Sequence, residues 1–346
     1  MKNRFSTALA LAFFLSIACL VSCKKDTDGA PDSKAGNPVM AAITPGEASG
    51  GTVITLTGSG LGAMRSIVFQ TANASVPATF QSNLNTESSL LFRVPDTAFG
   101  GPQNIIFTNS EGKQLTVPFK VVALPTVTSI TPIEFAQDTI VTVIGNNLDG
   151  VTNVTIEGTT STATVISSAR KKLVLKMPAT TVNRAKLNIT NASGSRVSDI
   201  ELTYLPNALQ LFMEGFGTGV QDWSWANTHD VSTNAAIMGS QSLRAVFGGG
   251  SYGAVSLRYD TNIPFSQYTY LTFWAKGGSA DMQLSIWPDM PSGAPTQTVT
   301  IPANVWTYFK VPLNYIGAAA SQRLNLQGMA PATDQTIYFD NVLLVK

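Results

Sequence analysis

The sequence is poor in cysteine, histidine and charge, and each shortage removes a class of function. Its 346 residues hold two cysteines, Cys19 and Cys23, and one histidine, His229. No thiol pair remains beyond residue 23 to form a disulfide, and a lone histidine defines neither a zinc site nor a catalytic triad. Charged residues make up 12% of the chain, about half the share in an average soluble domain. The formal net charge is +1 and no run of Lys and Arg forms a phosphate-tracking surface, which argues against nucleic acid as a partner. There is no H-E-x-x-H motif and no P-loop. Tryptophan is absent before residue 223.

What is present reads as an exported all-β protein. The 28 Gly and 18 Pro are scattered between short apolar runs, the pattern of many strands joined by turns. At the N-terminus, Lys2 and Arg4 precede the apolar run Ala8–Leu20, which is too short to span a bilayer as a finished helix. Leu20-Val21-Ser22-Cys23 then resembles a bacterial lipobox. That resemblance implies a signal peptide over 1–22, cleavage before Cys23 and lipidation of its thiol. Residues 23–37 are polar and read as a lipidated tether holding the folded part off the membrane.

The middle of the chain is duplicated. Ile43-Thr44-Pro45 recurs as Ile130-Thr131-Pro132; Gly58 and Leu61 recur as Gly145 and Leu148, and Leu90–Pro95 as Leu173–Pro178. A period this long is a domain duplication rather than a solenoid. Each copy reads as an immunoglobulin-like sandwich, over 38–122 and 125–205, and the run I-T-P…T-x-[VI]-T-[LV]-x-G-x-x-L resembles the TIG (IPT) subclass. Gly58 and Gly145 are expected to end a strand at a sharp turn with positive φ. With no tryptophan and no histidine, the two copies read as spacers.

Residues 207–346 hold all five Trp, seven of the eight Tyr and the only His. Strands are expected at 242–247, 254–259, 270–275, 282–287, 298–301, 308–312 and 336–342, a spacing that suits a jelly-roll β-sandwich. Alternation puts Leu271, Phe273 and Ala275, then Met282, Leu284 and Ile286, in a core. Trp274 and Trp287 fall on the opposite faces. Phe212–Phe216, Gly239–Arg244, Thr272–Gly278, Trp306–Leu313 and Ile337–Val342 resemble jelly-roll carbohydrate-binding modules. The layout of lipobox, Ig-like pair and C-terminal module is similar to cell-surface glycan-binding lipoproteins of polysaccharide-utilisation systems, notably those with a xyloglucan-binding domain. The resemblance implies outer-membrane anchoring, a polysaccharide or oligosaccharide ligand, and delivery to an outer-membrane importer.

Physical chemistry points the same way. A sugar ring has an apolar C–H face and a hydroxyl rim, matched by flat aromatic rings and amide side chains without net charge. Trp225, Tyr252 and Trp287 are the leading glycan contacts; Trp223 and Trp274 are candidates shared with core packing, Trp223 being the member of its pair expected to turn inward. Trp306 reads as structural and His229 as incidental. Glu214 and Asp340 are candidates for a structural calcium, with backbone carbonyls near Ser240 completing its shell; no cofactor is otherwise required. Two other readings stand beside the glycan binder. One is a protein-binding adhesin or assembly component. The other is a glycoside hydrolase, against which stands the scatter of one Glu and seven Asp over the C-terminal domain.

Overall fold

The computed structural model describes residues 33–289, 295–316 and 320–346. The lipobox, Cys23 and the tether up to residue 32 lie outside the described residues. All regular elements described are strands or short 3-10 turns, and no described helix is long and apolar enough to cross a membrane. The tether expected to reach residue 37 stops sooner, because the first strand, Ala35–Thr44, is already paired at Ala35 with Leu61. The chain divides into two compact units, the first ending at residue 124 and the second holding most of 125–346.

The first unit is an Ig-like sandwich. Strands Ala35–Thr44, Val53–Leu61 and Ser89–Arg93 form one sheet, and Glu47–Ala48, Gln114–Val121, Gly101–Asn109, Met64–Gln70 and Ser75–Ala78 form the other. Side chains alternate across each strand. Ile54, Leu56 and Leu90 from one sheet therefore meet Phe69, Phe107 and Phe119 from the other in one core. The second copy repeats the scheme around Val141, Val143, Leu173, Leu175 and Ile189.

Gly58 and Gly145 do a different job from the one the sequence suggests. Neither has positive φ, and both lie within strands, Val53–Leu61 and Ile140–Asn146. Each sits where the neighbouring strand's register slips. A Cβ on Gly58 would lie 1.9 Å from the carbonyl oxygen of Val39, and one on Gly145 1.8 Å from that of Thr126. The constraint is close backbone approach at a bulge rather than a turn.

The C-terminal sandwich packs two sheets on a single core. One sheet runs in the order Thr228–Ser232, Ser242–Phe247, Gln335–Val345, Tyr270–Lys276, Trp306–Pro312, with Leu209–Phe212 also pairing the long strand Gln335–Val345. The other runs Val220–Asp222, Ala254–Pro264, Ala320–Gly328, Met282–Pro288, Gln297–Ile301. Leu271, Phe273, Ala275, Met282, Leu284 and Ile286 enter the core as their alternation indicates. The strands 270–276 and 282–288, consecutive in sequence, belong to different sheets. Their outward faces therefore look away from each other, and Trp274 is separated from Trp287 by the thickness of the sandwich.

Trp274 instead meets the second Ig-like domain, which shares its unit. Its indole N–H donates to Glu134 Oε1 at 3.3 Å, and its ring lies 5.2 Å from that of Tyr308. Glu134 is 2% exposed. Burial is the main influence on its carboxyl and pushes it up to about 7; the Asn341 amide and the Trp274 N–H pull back, and the charge of Asp340 adds to the rise. Burial and then Glu134 push the Tyr308 hydroxyl up to about 12. At the same junction Arg184 and Lys310 both pair with Glu201 and both lie over the Tyr270 ring, at 5.0 and 4.2 Å from its centroid. The second Ig-like domain is thus a packed neighbour of the aromatic domain and not a free spacer.

Two outcomes follow. Gly145→Ala should destabilise the chain by about 1–3 kcal/mol, measured by denaturant unfolding, because the added methyl must displace backbone. The folded-state value of Glu134 lies above the ordinary 4.5, so the fold prefers the neutral acid. That contribution is complete below about pH 4.5 and is lost as pH rises through about 7. Glu134→Gln should therefore match the wild-type melting temperature at about pH 4, exceed it increasingly up to about pH 7, and exceed it by a constant margin above that. Parallel curves would show that this carboxyl does not titrate with folding.

Candidate functional site

Alternation in the five-stranded sheet sends Val255, Leu257, Leu284, Ile286, Leu324 and Leu326 into the core. Ser256, Arg258, Ser285, Trp287, Arg323, Asn325 and Gln327 therefore share the opposite face. Register arranges them in rows: Trp287 opposite Asn325 and Asn325 opposite Ser256; Ser285 opposite Gln327; Arg323 opposite Arg258 and Arg258 opposite Gln221. The segment after Val220–Asp222 continues along the sheet edge. Trp223 N donates to Ser256 O and Trp225 N to Ala254 O, both at 2.9 Å.

This brings Trp225, Tyr252 and Trp287 together. The rings of Trp225 and Trp287 lie 6.3 Å apart at 58°. Gln327 ties the group: its Nε2 donates to the carbonyl of Tyr252 at 2.9 Å, and its Oε1 accepts from Trp287 Nε1 at 3.1 Å. Trp225 Nε1 donates to the same Tyr252 carbonyl at 2.9 Å. With their N–H groups bound to protein, both indoles are fixed in orientation. Trp225 remains 41% exposed and Tyr252 59%.

Trp223, expected to turn inward, is 49% exposed, because alternation from the core residue Val220 sends Gln221 and Trp223 to the outer face. Arg258 and Arg323 lie over its ring, with their guanidinium carbons 4.7 and 5.5 Å from its centroid. Arg323 is paired with Asp289. Arg258 is held by the side-chain carbonyls of Gln221 and Gln322 at 3.2 and 3.1 Å. Trp274 stands on the other sheet, against Glu134. Trp306 is partly buried on that same sheet, opposite Lys276. His229 bonds Asp222 Oδ2 through Nδ1 at 2.7 Å. Against the pull of partial burial, bonds from Ser224 and His229 hold the Asp222 carboxyl below its usual range.

Arg258, Arg323, Gln221, Asn325 and Gln327 were not among the sequence candidates. Their signal is the alternation Arg-Leu-Asn-Leu-Gln over 323–327, in which every second residue is polar and long.

Two other constellations are engaged by hydrogen bonds within the fold. Residues Gly249–Gly253 match the G-x-S-x-G spacing of a nucleophile elbow, but the Ser251 hydroxyl donates to Gly248 O at 2.9 Å and the only histidine is bound to Asp222. Glu214 and Asp340 do converge, on the loop 237–240. Glu214 accepts from Ser240 N and Oγ, both at 2.9 Å. Asp340 accepts from the N–H groups of Ile237, Met238 and Asn341. Burial pushes the Asp340 carboxyl up to about 6, those amides offset it, and the charge of Glu214 adds to the rise. Calcium takes six to eight oxygens, and among the described residues no group of three His, Cys, Asp or Glu side chains could hold a metal. The pair acts as a clasp held by amide and hydroxyl donors. A concavity of about 730 Å³ in the first Ig-like domain is lined by Gln70, Gln103, Asn104 and Lys120; its one aromatic ring, Phe119, belongs to the core.

Comparison with known proteins agrees with this architecture. Residues 38–121 and 125–204 match the IPT/TIG domain family. No curated protein matches the chain. Among solved structures, a surface glycan-binding protein from Prevotella bryantii is 14% identical, with 90% of this chain and 99% of that one covered and a TM-score of 0.52. A protein from a complex xyloglucan utilization locus in Bacteroides uniformis is 17% identical, covering 89% of this chain and 100% of that one, with a TM-score of 0.41. A family 29 carbohydrate-binding module is 18% identical, covering 40% of this chain and 91% of that one, with a TM-score of 0.30.

The clasp makes a direct forecast. Glu214→Ala should lower stability by about 1–3 kcal/mol, equally in calcium and in chelator. A loss seen only in calcium buffer would place a cation between the carboxylates.

Proposed function

We propose that this chain, with its tandem IPT/TIG domains and C-terminal β-sandwich, is a non-catalytic surface lipoprotein that binds a neutral polysaccharide of β-glucan or xyloglucan type. The observation that carries the reading is the open aromatic face of the five-stranded sheet. Trp225 and Trp287 are held by hydrogen bonds while Trp225 and Tyr252 stay exposed, and amides and guanidinium groups surround them. Flat rings stack on the C–H faces of sugars, and Gln and Arg side chains bond the hydroxyl rim. An open platform, unlike an enclosed pocket, lets a long chain pass beyond both ends. The shared fold with the Prevotella bryantii surface glycan-binding protein supports the same reading.

Lipidation at Cys23 would hold the protein at the outer membrane, where a bound chain is available to an importer. In this reading the Ig-like pair sets the distance of the platform from the membrane.

Calorimetry with cello-, manno- and xylogluco-oligosaccharides tests the proposal. Single Ala substitutions at Trp225, Tyr252 and Trp287 should each weaken binding roughly 5- to 150-fold, from lost stacking and lost burial. Trp274→Ala should leave affinity unchanged, since that ring faces the second Ig-like domain. Affinity should vary little with ionic strength, because the ligand is uncharged. Binding that collapses in high salt, or that survives all three substitutions in a folded protein, overturns the assignment. Cys23→Ala should move the protein out of the membrane fraction.

A further inference from the structure

Beneath the aromatic rings lies a polar pair that the fold leaves unsatisfied. Ser256 and Asn325 are opposite each other on adjacent central strands, and Asn325 is opposite Trp287 on its other side. Both face away from the core, since Val255, Leu257, Leu324 and Leu326 on either side of them fill it. Both are nonetheless fully buried, at 0% exposure. Neither atom of the Asn325 amide has a hydrogen-bond partner, and the Ser256 hydroxyl has none. Three orphaned polar atoms in one spot, beside Trp287, Arg258, Arg323 and Gln327 whose side chains are all hydrogen-bonded, form a concentrated deficit. An unsatisfied buried donor or acceptor costs on the order of 1–3 kcal/mol, so a sequence that keeps three together retains a strain that Leu and Ala would remove.

The surrounding side chains show what relieves it. Trp287, Arg258 and Arg323, the neighbours on this face, are each partly exposed. Trp287 is tied by its indole N–H to Gln327, a single bond. An amide offers a donor and an acceptor about one hydroxyl spacing apart, and the serine hydroxyl beside it can do either. That set is complementary to two adjacent hydroxyls of one sugar ring, one accepting from Nδ2–H and the other donating to Oδ1.

We propose that Asn325 and Ser256 form a hydroxyl-reading notch in the floor of the platform, and that this notch sets which sugar the rings accept. The inference rests on the glycan-binding reading and deepens it. The rings supply affinity that any flat pyranose can satisfy. The notch rewards only a ring whose adjacent hydroxyls point down into it, and a site with buried polar groups rejects a ligand that leaves them unpaired.

The test uses the full chain and two replacements, Asn325→Leu and Ser256→Ala, with Trp287→Ala as a control for the platform. Affinities are measured for cellohexaose, mannohexaose and a xylogluco-oligosaccharide, with a melting temperature for each protein. Replacing orphaned polar groups by an apolar side chain of similar size is neutral or stabilising. Asn325→Leu should therefore melt at or above the wild-type temperature, weaken the tightest ligand about 10-fold or more, and flatten the ranking among the three. Ser256→Ala should shift the ranking in the same direction by a smaller factor. If Asn325→Leu lowers the melting temperature and leaves the ranking intact, the amide serves the fold alone and the notch is refuted. The notch is equally refuted if affinity and ranking are both unchanged while Trp287→Ala abolishes binding, an outcome that leaves the platform standing. Failure of the wild type to bind any of the three glycans would instead overturn the glycan reading itself.

Discussion

The single core of the C-terminal sandwich governs the rest of the molecule. Each of its sheets spends one face on that core, where Phe247, Phe273 and Phe339 pack ring against ring. Period-two alternation then forces every second residue outward, so each sheet has a second face that must be used or left to water. The six-stranded sheet lays its outer face, through Trp274, Tyr308 and Tyr270, against the second Ig-like domain. The five-stranded sheet keeps its outer face open, through Trp225, Trp287, Gln327 and Arg258. One hydrophobic layer thereby separates the surface packed on the second Ig-like domain from the open aromatic surface.

Much of this arrangement is legible in the sequence, because it follows from local chemistry. Duplication of Ile-Thr-Pro and of the Leu-rich strand shows the Ig-like pair. Alternation in Tyr270–Lys276 and Met282–Pro288 identifies which residues enter the core. Partner sheet is another matter. Nothing within either strand states that the two lie in opposite sheets, and Trp274 consequently resembles a ligand contact when read from the sequence. Its partner, Glu134, lies far away along the chain and looks like an ordinary member of a repeat. The other copy has the same residue type in that place, Glu47, exposed and paired with Lys120. One of these glutamates is exposed and ion-paired with Lys120, and the other is buried beside Trp274.

The site shows the same limit. Trp225, Tyr252 and Trp287 are visible as aromatic residues in polar or glycine-rich surroundings, but what orients them is not. Gln327 reaches both the Tyr252 loop and the Trp287 indole only because strands 254–264, 282–288 and 320–328 lie side by side. Long-range register is also what stacks two arginines on Trp223. That placement keeps cationic groups at one edge of the platform without a cluster of basic residues in the sequence, while Asp289 compensates one of the charges. Gly58 and Gly145 make the complementary point, since a glycine needed for backbone approach cannot be told from a turn glycine until the neighbouring strand is in place.

The strand Gln335–Val345 has a consequence for how the protein comes into being. It lies inside the six-stranded sheet, with Ser242–Phe247 on one side and Tyr270–Lys276 on the other, and Leu344 pairs with Leu209 at the opposite end of the domain's sequence. The sheet has no continuous hydrogen-bond ladder until that segment is supplied. Contacts of such wide sequence separation are slow to form, whereas hairpins such as Gly101–Asn109 with Gln114–Val121 close locally. During synthesis the six-stranded sheet is therefore the last to close, after every strand of the five-stranded sheet has been made. A nascent chain interrupted before residue 335 would hold every strand of the five-stranded sheet and no closed partner sheet against its core side.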